Sequence, residues 1–245
     1  MQNQKKQKSL KKRKKLKVYM GWDSKEPLAY DVARHSILSR STNGVRVIPL
    51  EIKNLKHLID RPVEIRNGSG WCPISQAPVT TEFAISRFLI PFLSRKGWAA
   101  FVDPDIVCLT DIEKLFDLAD DKYAVMVVKH DYTVKDGMKG LGVQTSYPRK
   151  NWSSIVLWNC SHGGNKRLTL DMINTWPGRD LHAFKWLKDE EIGELPRSWN
   201  YLVDVYDGGE KNIMHFTNGG PWIKGWQSKE SDLIWNEEAK IFLDK

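Results

Sequence analysis

Phe101 to Leu109 reads FVDPDIVCL, an apolar run into which two carboxylates, Asp103 and Asp105, are set on either side of Pro104. Burying an ionised carboxylate is unfavourable unless a cation accompanies it. In an extended chain residues i and i+2 point to the same side, so Asp103 and Asp105 can converge on one point. Pro104 favours this, because proline fixes its own φ and biases the preceding residue toward the β region. Two carboxylates this close do not both ionise cheaply without a cation between them. A divalent metal that prefers oxygen is the natural candidate. His215, at the end of the later apolar run NIMHF, would add an imidazole nitrogen. Two carboxylates and one imidazole suit Mn²⁺, with Mg²⁺ as the alternative, and leave positions open for a ligand. An Asp-x-Asp pair alone is a weak signal, equally at home as a solvated pair at a strand–loop corner.

Around this stretch the chain alternates between strand-like and helix-like segments. LKVYMG, from Leu16, reads as a first strand, and Asp23 or Ser24 is placed to cap a helix that has Pro27 in its first turn and runs to about Ser39. VRVIPL follows the Asn43-Gly44 turn as a second strand. Residues 60–78, rich in Gly, Pro, Asn and Ser, read as a loop, and a helix is expected from Thr80 or Thr81 to about Phe92. WAAFV then leads into the Asp pair. YAVMVV and SSIVLW are further strands, 137–149 has the composition of a mobile loop, and 167–175, 180–188 and 231–243 read as helical. Such alternation predicts an α/β fold: a mostly parallel central sheet with helices on both faces. Ligands in such folds bind at the carboxyl ends of the strands, where Gly21–Asp23, Asp103–Asp105 and His215 all fall.

The 245 residues carry a formal net charge of +8, and the charge is unevenly placed. Met1 to Lys17 holds nine of the 38 Lys and Arg and no acidic residue, which leaves 29 basic against 30 acidic residues in the rest. Residues 1–16 are therefore expected to be a disordered basic tail, able to touch polyanions or an anionic membrane surface, and 17–245 a single domain. No apolar run is long enough to span a bilayer, and no secretory signal precedes the body. Three cysteines without paired spacing suggest reduced thiols and a cytoplasmic location.

The ordered set VYMGWDSKEPLAYDVARHSI, TEFAISRFLIP, FVDPDIVCLTDI, NWSSIVLWNC, LPRSWNYL and HFTNGGPW spans Lys17 to about Trp226. Taken together, it resembles the GT-A (Rossmann-like) glycosyltransferases, in particular glycosyltransferase family 8, the group of glycogenin and the lipopolysaccharide galactosyltransferases. The resemblance implies a UDP-hexose donor, a bound Mn²⁺, a carbohydrate or glycoconjugate acceptor and retention of anomeric configuration. It makes Asp103, Asp105 and His215 the metal ligands. It places Gly21, Trp22 and Asp23 around the nucleotide, Arg87 where a guanidinium reaches the donor, and Asn151 and Ser154 along the donor sugar.

The sequence also departs from the family. Asp180 stands near the family's Asp-Gln position, but Leu181 and His182 follow it. Asp180 is expected to hold sugar hydroxyls or to face the anomeric carbon, with Asp189 and Glu190 as alternatives. The family's lysine before Pro-Trp is replaced by Gly220 before Pro221-Trp222. Lys224, or the amides of Gly219 and Gly220, would then take the diphosphate. Two routes to retention stay open: attack on the leaving-group face, or double displacement through Asp180. A sugar-1-phosphate nucleotidyltransferase is an alternative, but it would want a Gly-rich basic loop where this chain has GWDSKEP. A nucleic-acid-binding protein is another, and the near-neutral body argues against it.

Overall fold

A computed structural model of the chain describes residues 15–66, 69–79, 81–131, 137–139, 142–144 and 148–244. The basic tail as far as Lys14, Thr80 and residues 140–141 and 145–147 of the 137–149 segment lie outside the described residues.

Six strands form the central sheet: β1 (Lys17–Gly21), β2 (Arg46–Leu50), β6 (Trp98–Val102), β8 (Val125–Val127), β11 (Ile155–Asn159) and β12 (Ile192–Glu194). Their order is β12-β8-β11-β6-β1-β2. Strand β11 is antiparallel to both its neighbours, β6 and β8, and the other pairings are parallel. The period-two alternation of side chains sorts the core into two layers. Tyr19, Phe101, Val156 and Trp158 face one layer with Phe88, Ile90, Ile173 and Leu181. Val18, Met20, Ala100, Val102 and Leu157 face the other, against Ala33 and Ile37 of helix α1 (Pro27–Arg40) and Leu115 of α3 (Glu113–Phe116). Both faces are covered, which is why these strands read as continuous apolar runs.

A second sheet has the order β13-β14-β7, from β7 (Ile106–Cys108), β13 (Tyr201–Leu202) and β14 (Ile213–His215). Helix α6 (Leu233–Leu243) lies against α1 through Glu238, whose buried carboxylate meets His35 Nδ1 and Arg40 Nη2, each at 2.7 Å.

Several segments differ from the sequence expectation. Residues 60–78 hold a small antiparallel sheet of β3 (Glu64–Arg66), β4 (Ser69–Cys72) and β5 (Ala77–Pro78), not a plain loop. Their composition is that of turns, and the strands are too short to show a period. Arg61 anchors this unit by donating to the carbonyls of Ile173 (2.8 Å) and Trp176 (2.9 Å). A further hairpin, β9 (Gly137–Lys139) with β10 (Gly142–Gln144), lies within the expected 137–149 loop. The helix expected to 92 is a 3₁₀ turn, Ser86–Leu89, followed by α2 (Ile90–Ser94). Pro91 has no N–H to continue the ladder back to Arg87.

Helix α4 (Leu170–Thr175) starts later than expected because Thr169 Oγ1 accepts from Met172 N (3.1 Å) and caps it. Helix α5 (Gly178–His182) ends before Phe184, which takes φ 55°. The cap expected from Asp23 or Ser24 does not form: Glu26 precedes α1 without a side-chain cap.

Candidate active site

The Asp-Pro-Asp stretch is where the chain passes from one sheet to the other. Val102 is the last residue of β6, paired with both Met20 and Ile155. Asp103 N still donates to Ser154 O (2.9 Å), and then Pro104 and Asp105 bend the chain into β7. The extended geometry expected across Pro104 is thus replaced by a corner. Asp105 O accepts Phe216 N (2.8 Å), and β14 pairs with β7 so that His215 lies opposite Ile106. The corner and the strand end bring Asp103, Asp105 and His215 together, with one ligand atom of each within 4.8 Å of the others. His215 Nε2 is 3.3 Å from Asp105 Oδ1. Two carboxylate oxygens and an imidazole nitrogen form a donor set suited to Mn²⁺ or Mg²⁺, so these three residues can hold a metal ion.

The orientation of the imidazole can be deduced from its neighbours. Asn200 donates through Nδ2 to Asn151 O (3.2 Å) and to Ser154 Oγ (2.9 Å). A carbonyl only accepts, and the Ser154 hydroxyl already donates to that same carbonyl (2.6 Å). The amide nitrogen of Asn200 therefore points there, and its Oδ1 faces His215 Nδ1 at 2.9 Å. Nδ1 must carry the proton, which leaves Nε2 toward the carboxylates. Asn151 takes φ 61° and donates through Nδ2 to Thr217 Oγ1 (3.0 Å), two residues beyond His215.

Arg87 is buried, and its guanidinium is committed inward. Nη1 pairs with Asp103 Oδ1 (2.9 Å) and donates to Ser153 O (2.8 Å), Nε donates to Ala84 O (3.1 Å), and the group lies over the Phe101 ring at 4.7 Å. It sits beside one carboxylate of the cluster rather than extending past it.

The remaining candidates lie on several other elements. Gly21 ends β1, and a Cβ there would lie 2.5 Å from Phe83, so the glycine allows a close approach. Trp22 is half-buried beneath the Lys53 ammonium, 5.4 Å from its ring. Asp23 is buried and accepts from Lys25 N and Glu82 N, each at 3.0 Å, which ties the β1 loop to the segment that carries Arg87. Asp180 of α5 pairs with Lys185 (2.7 Å), beyond the end of that helix, and His182 of the same helix bonds Ser153 Oγ (2.7 Å). Of its alternatives, Asp189 pairs with Arg149 (2.6 Å) and Glu190 is exposed. Gly219 takes φ 95°, and Gly220 packs against the Trp222 ring. Lys224 lines a groove with Pro221, Trp222 and Trp226, and among the described residues no hydrogen bond or ion pair joins it to the Asp–His cluster.

Trp71 lies under Arg66 (4.6 Å), and Trp222 packs on Phe216 and Trp235.

Sequence reasoning missed Asn200, Thr217 and His130 as neighbours of the cluster. The signal for Asn200 was a polar residue inside the apolar run WNYLV. His130 had none. It is buried after β8, bonds Tyr206 Oη through Nδ1 (2.7 Å), and accepts Trp152 Nε1 at its carbonyl (3.1 Å). Burial pushes its imidazole down to about 3. The unfolded chain would take up this proton near pH 6.5 while the folded chain refuses it, so stability is present above pH 6.5 and falls as pH drops toward 3. The contribution lost is about 2 kcal/mol by about pH 5. Chemical denaturation across this range should show a shallower acid slope for His130→Gln than for wild type. Equal slopes would show that His130 does not drive the acid loss.

No family model matches the chain. Among solved structures it is similar to the glycosyltransferase GlyE of Streptococcus pneumoniae TIGR4, with TM-score 0.59 and 14% identity over 94% of this chain. It is also similar to the galactosyltransferase LgtC in complex with donor and acceptor sugar analogs, with TM-score 0.51 and 10% identity over 94% of this chain and 96% of that one. The chain spans 62% of GlyE. At these identities the likeness establishes the fold, a GT-A type glycosyltransferase fold resembling family 8. No helix among the described residues is long and apolar enough to cross a membrane. In sequence, Protein CDI of Arabidopsis thaliana is 44% identical over 238 residues, 94% of this chain and 88% of that protein. The chain belongs to the family of Protein CDI, built on the GT-A fold.

Proposed function

We propose that the chain is a metal-dependent, retaining glycosyltransferase that moves a hexose from a UDP-sugar to a carbohydrate or glycoconjugate acceptor. The observation that carries this reading is the convergence of Asp103, Asp105 and His215 at the carboxyl edge of a glycosyltransferase fold. LgtC, which shares the fold, binds donor and acceptor sugar analogs.

In this reading Asp103 and Asp105 supply oxygens and His215 supplies Nε2 to Mn²⁺, or to Mg²⁺. A divalent ion bound there supplies Lewis-acid neutralisation of charge on a leaving diphosphate. Arg87 holds Asp103 in place through the 2.9 Å pair. The backbone N–H of Gly220 would face phosphate oxygens, with Lys224 as the nearby cation, whereas the Gly219 N–H is already donated to Phe216 O (2.8 Å). Gly21, Trp22 and Asp23 line the nucleotide side, and Asn151 and Ser154 line the sugar side. Asp180 orients sugar hydroxyls in same-face attack. In double displacement its carboxylate would form the bond to the anomeric carbon as UDP leaves, and the acceptor hydroxyl would then displace it. The three cysteines are buried and, among the described residues, form no disulfide, which suits the reducing cytoplasm we assign to the protein.

The nucleotidyltransferase alternative is disfavoured by the turn after β1, where the Asp23 carboxylate binds backbone amides rather than leaving a phosphate loop open. Polyanion or membrane-surface contact remains a proposal for the basic tail alone.

Calorimetric titration with UDP, with and without Mn²⁺, tests the proposal. Binding is expected to require the metal and to be lost on chelation. UDP binding of equal strength in chelator would defeat it. Hydrolysis screened across UDP-sugars then identifies the donor.

A further inference from the structure

We infer that Asn200 is a positioning residue: it sets the tautomer and ring orientation of His215 and thereby the metal affinity of the site. The inference about affinity rests on the proposed metal site; the inference about the tautomer does not.

Asn200 is fully buried and comes from the 3₁₀ turn Arg197–Asn200, which immediately precedes β13. Strand β13 pairs with β14 so that Leu202 lies beside His215. Asn200 and His215 are thus held by adjacent elements with fixed register, and the 2.9 Å bond between Oδ1 and Nδ1 joins their side chains. The amide cannot turn over: rotation would point Oδ1 at the carbonyl of Asn151 and its NH₂ at a ring nitrogen that is then forced to accept. Ser154 Oγ at 2.9 Å and Asn151 O at 3.2 Å lock the present orientation.

A histidine that ligates a metal through one nitrogen usually donates its other N–H to a fixed acceptor, which sets the tautomer and raises the basicity of the ligating nitrogen. A neutral side chain does this here. The same amide reaches the turn that carries Asn151 and Ser154, and Asn151 continues to Thr217, two residues beyond His215 in the chain. The imidazole is therefore held at Nδ1 by a largely buried polar network in which these donors have defined acceptors.

Two measurements on full-length protein test this. Long-range ¹H–¹⁵N NMR of metal-free protein reads the proton position on His215. Wild type is expected to carry it on Nδ1. Asn200→Leu removes the acceptor and should move the proton toward Nε2, whereas Asn200→Asp keeps an acceptor and should retain it on Nδ1. Titration with Mn²⁺ alone should show binding weakened about 10–100-fold in Asn200→Leu. If Asn200→Leu does not fold, Ser154→Ala removes one partner of the lock and should weaken Mn²⁺ binding in the same direction by a smaller factor. A folded Asn200→Leu protein with an unchanged His215 tautomer overturns the inference. So does Mn²⁺ affinity within about two-fold of wild type in Asn200→Leu, where wild type binds the metal. Wild type that binds no Mn²⁺ but keeps the Nδ1 proton sinks the metal reading and leaves the tautomer inference standing.

Discussion

Replacing Asp105 with asparagine is expected to abolish the Mn²⁺ dependence of UDP binding and to lower turnover of a UDP-hexose by about 10²–10³-fold. The side chain keeps its shape, so the corner between β6 and β7 persists. The bond from Phe216 N to Asp105 O is made by the backbone and survives the change. What disappears is one negative charge and one strong oxygen ligand, 3.3 Å from His215 Nε2. Folding stability should hold or rise slightly, because a like-charge repulsion with Asp103 is relieved. Calorimetry with UDP and Mn²⁺ reads the first effect, and thermal unfolding without metal reads the second. An Asp105→Asn protein that still binds UDP only with Mn²⁺, and as tightly as wild type, would remove Asp105 from the ligand set.

Arg87→Ala is expected to destabilise the fold by about 3–5 kcal/mol. For a chain of this size that corresponds to a drop in Tm of about 6–20 °C. The side chains of Arg87 and Asp103 are 7% and 13% exposed, and the guanidinium also serves the carbonyls of Ser153 and Ala84. Removing it leaves a buried carboxylate and two carbonyls without their donor. Added Mn²⁺ should restore part of the loss, because a bound cation compensates Asp103 in place of the guanidinium. In a double-mutant cycle, Asp103→Asn should cost less in the Arg87→Ala background than in wild type. Additive losses would show that the two side chains act separately.

Part of the site was legible because it lies in short contiguous runs. FVDPDIV carries both carboxylates and the apolar strand that delivers them, and IMHF carries the imidazole. Their residue types suffice to suggest a divalent cation. The fold class was legible for a similar reason: strands covered on both faces read as unbroken apolar runs between helical segments. Residues 60–78 were not legible, since three short strands among turn residues show no periodicity and are held from outside by Arg61. The helix expected over 81–92 was started too early: Pro91, which has no N–H to bond back to Arg87, stands in the first turn of α2, and the residues before it form only a 3₁₀ turn.

Roles divided differently from identities. Arg87 and Asp23 are conspicuous charged residues beside the expected site, yet sequence cannot show that each is consumed by local partners. Asn200 looks like one polar residue in an apolar stretch, and only its four-way geometry with His215, Asn151 and Ser154 reveals what it does. By itself the sequence determined the alternating α/β order and the kinds of ligand atoms available, because hydrophobic period and side-chain chemistry are local properties. The tertiary structure alone decided that the Asp-Pro-Asp stretch is a corner between two sheets, that His215 arrives beside it, and which charges are already neutralised. His215 meets Asp105 across more than a hundred residues, and the Arg87–Asp103 pair likewise depends on how separate elements pack, so no local property of the chain encodes these contacts.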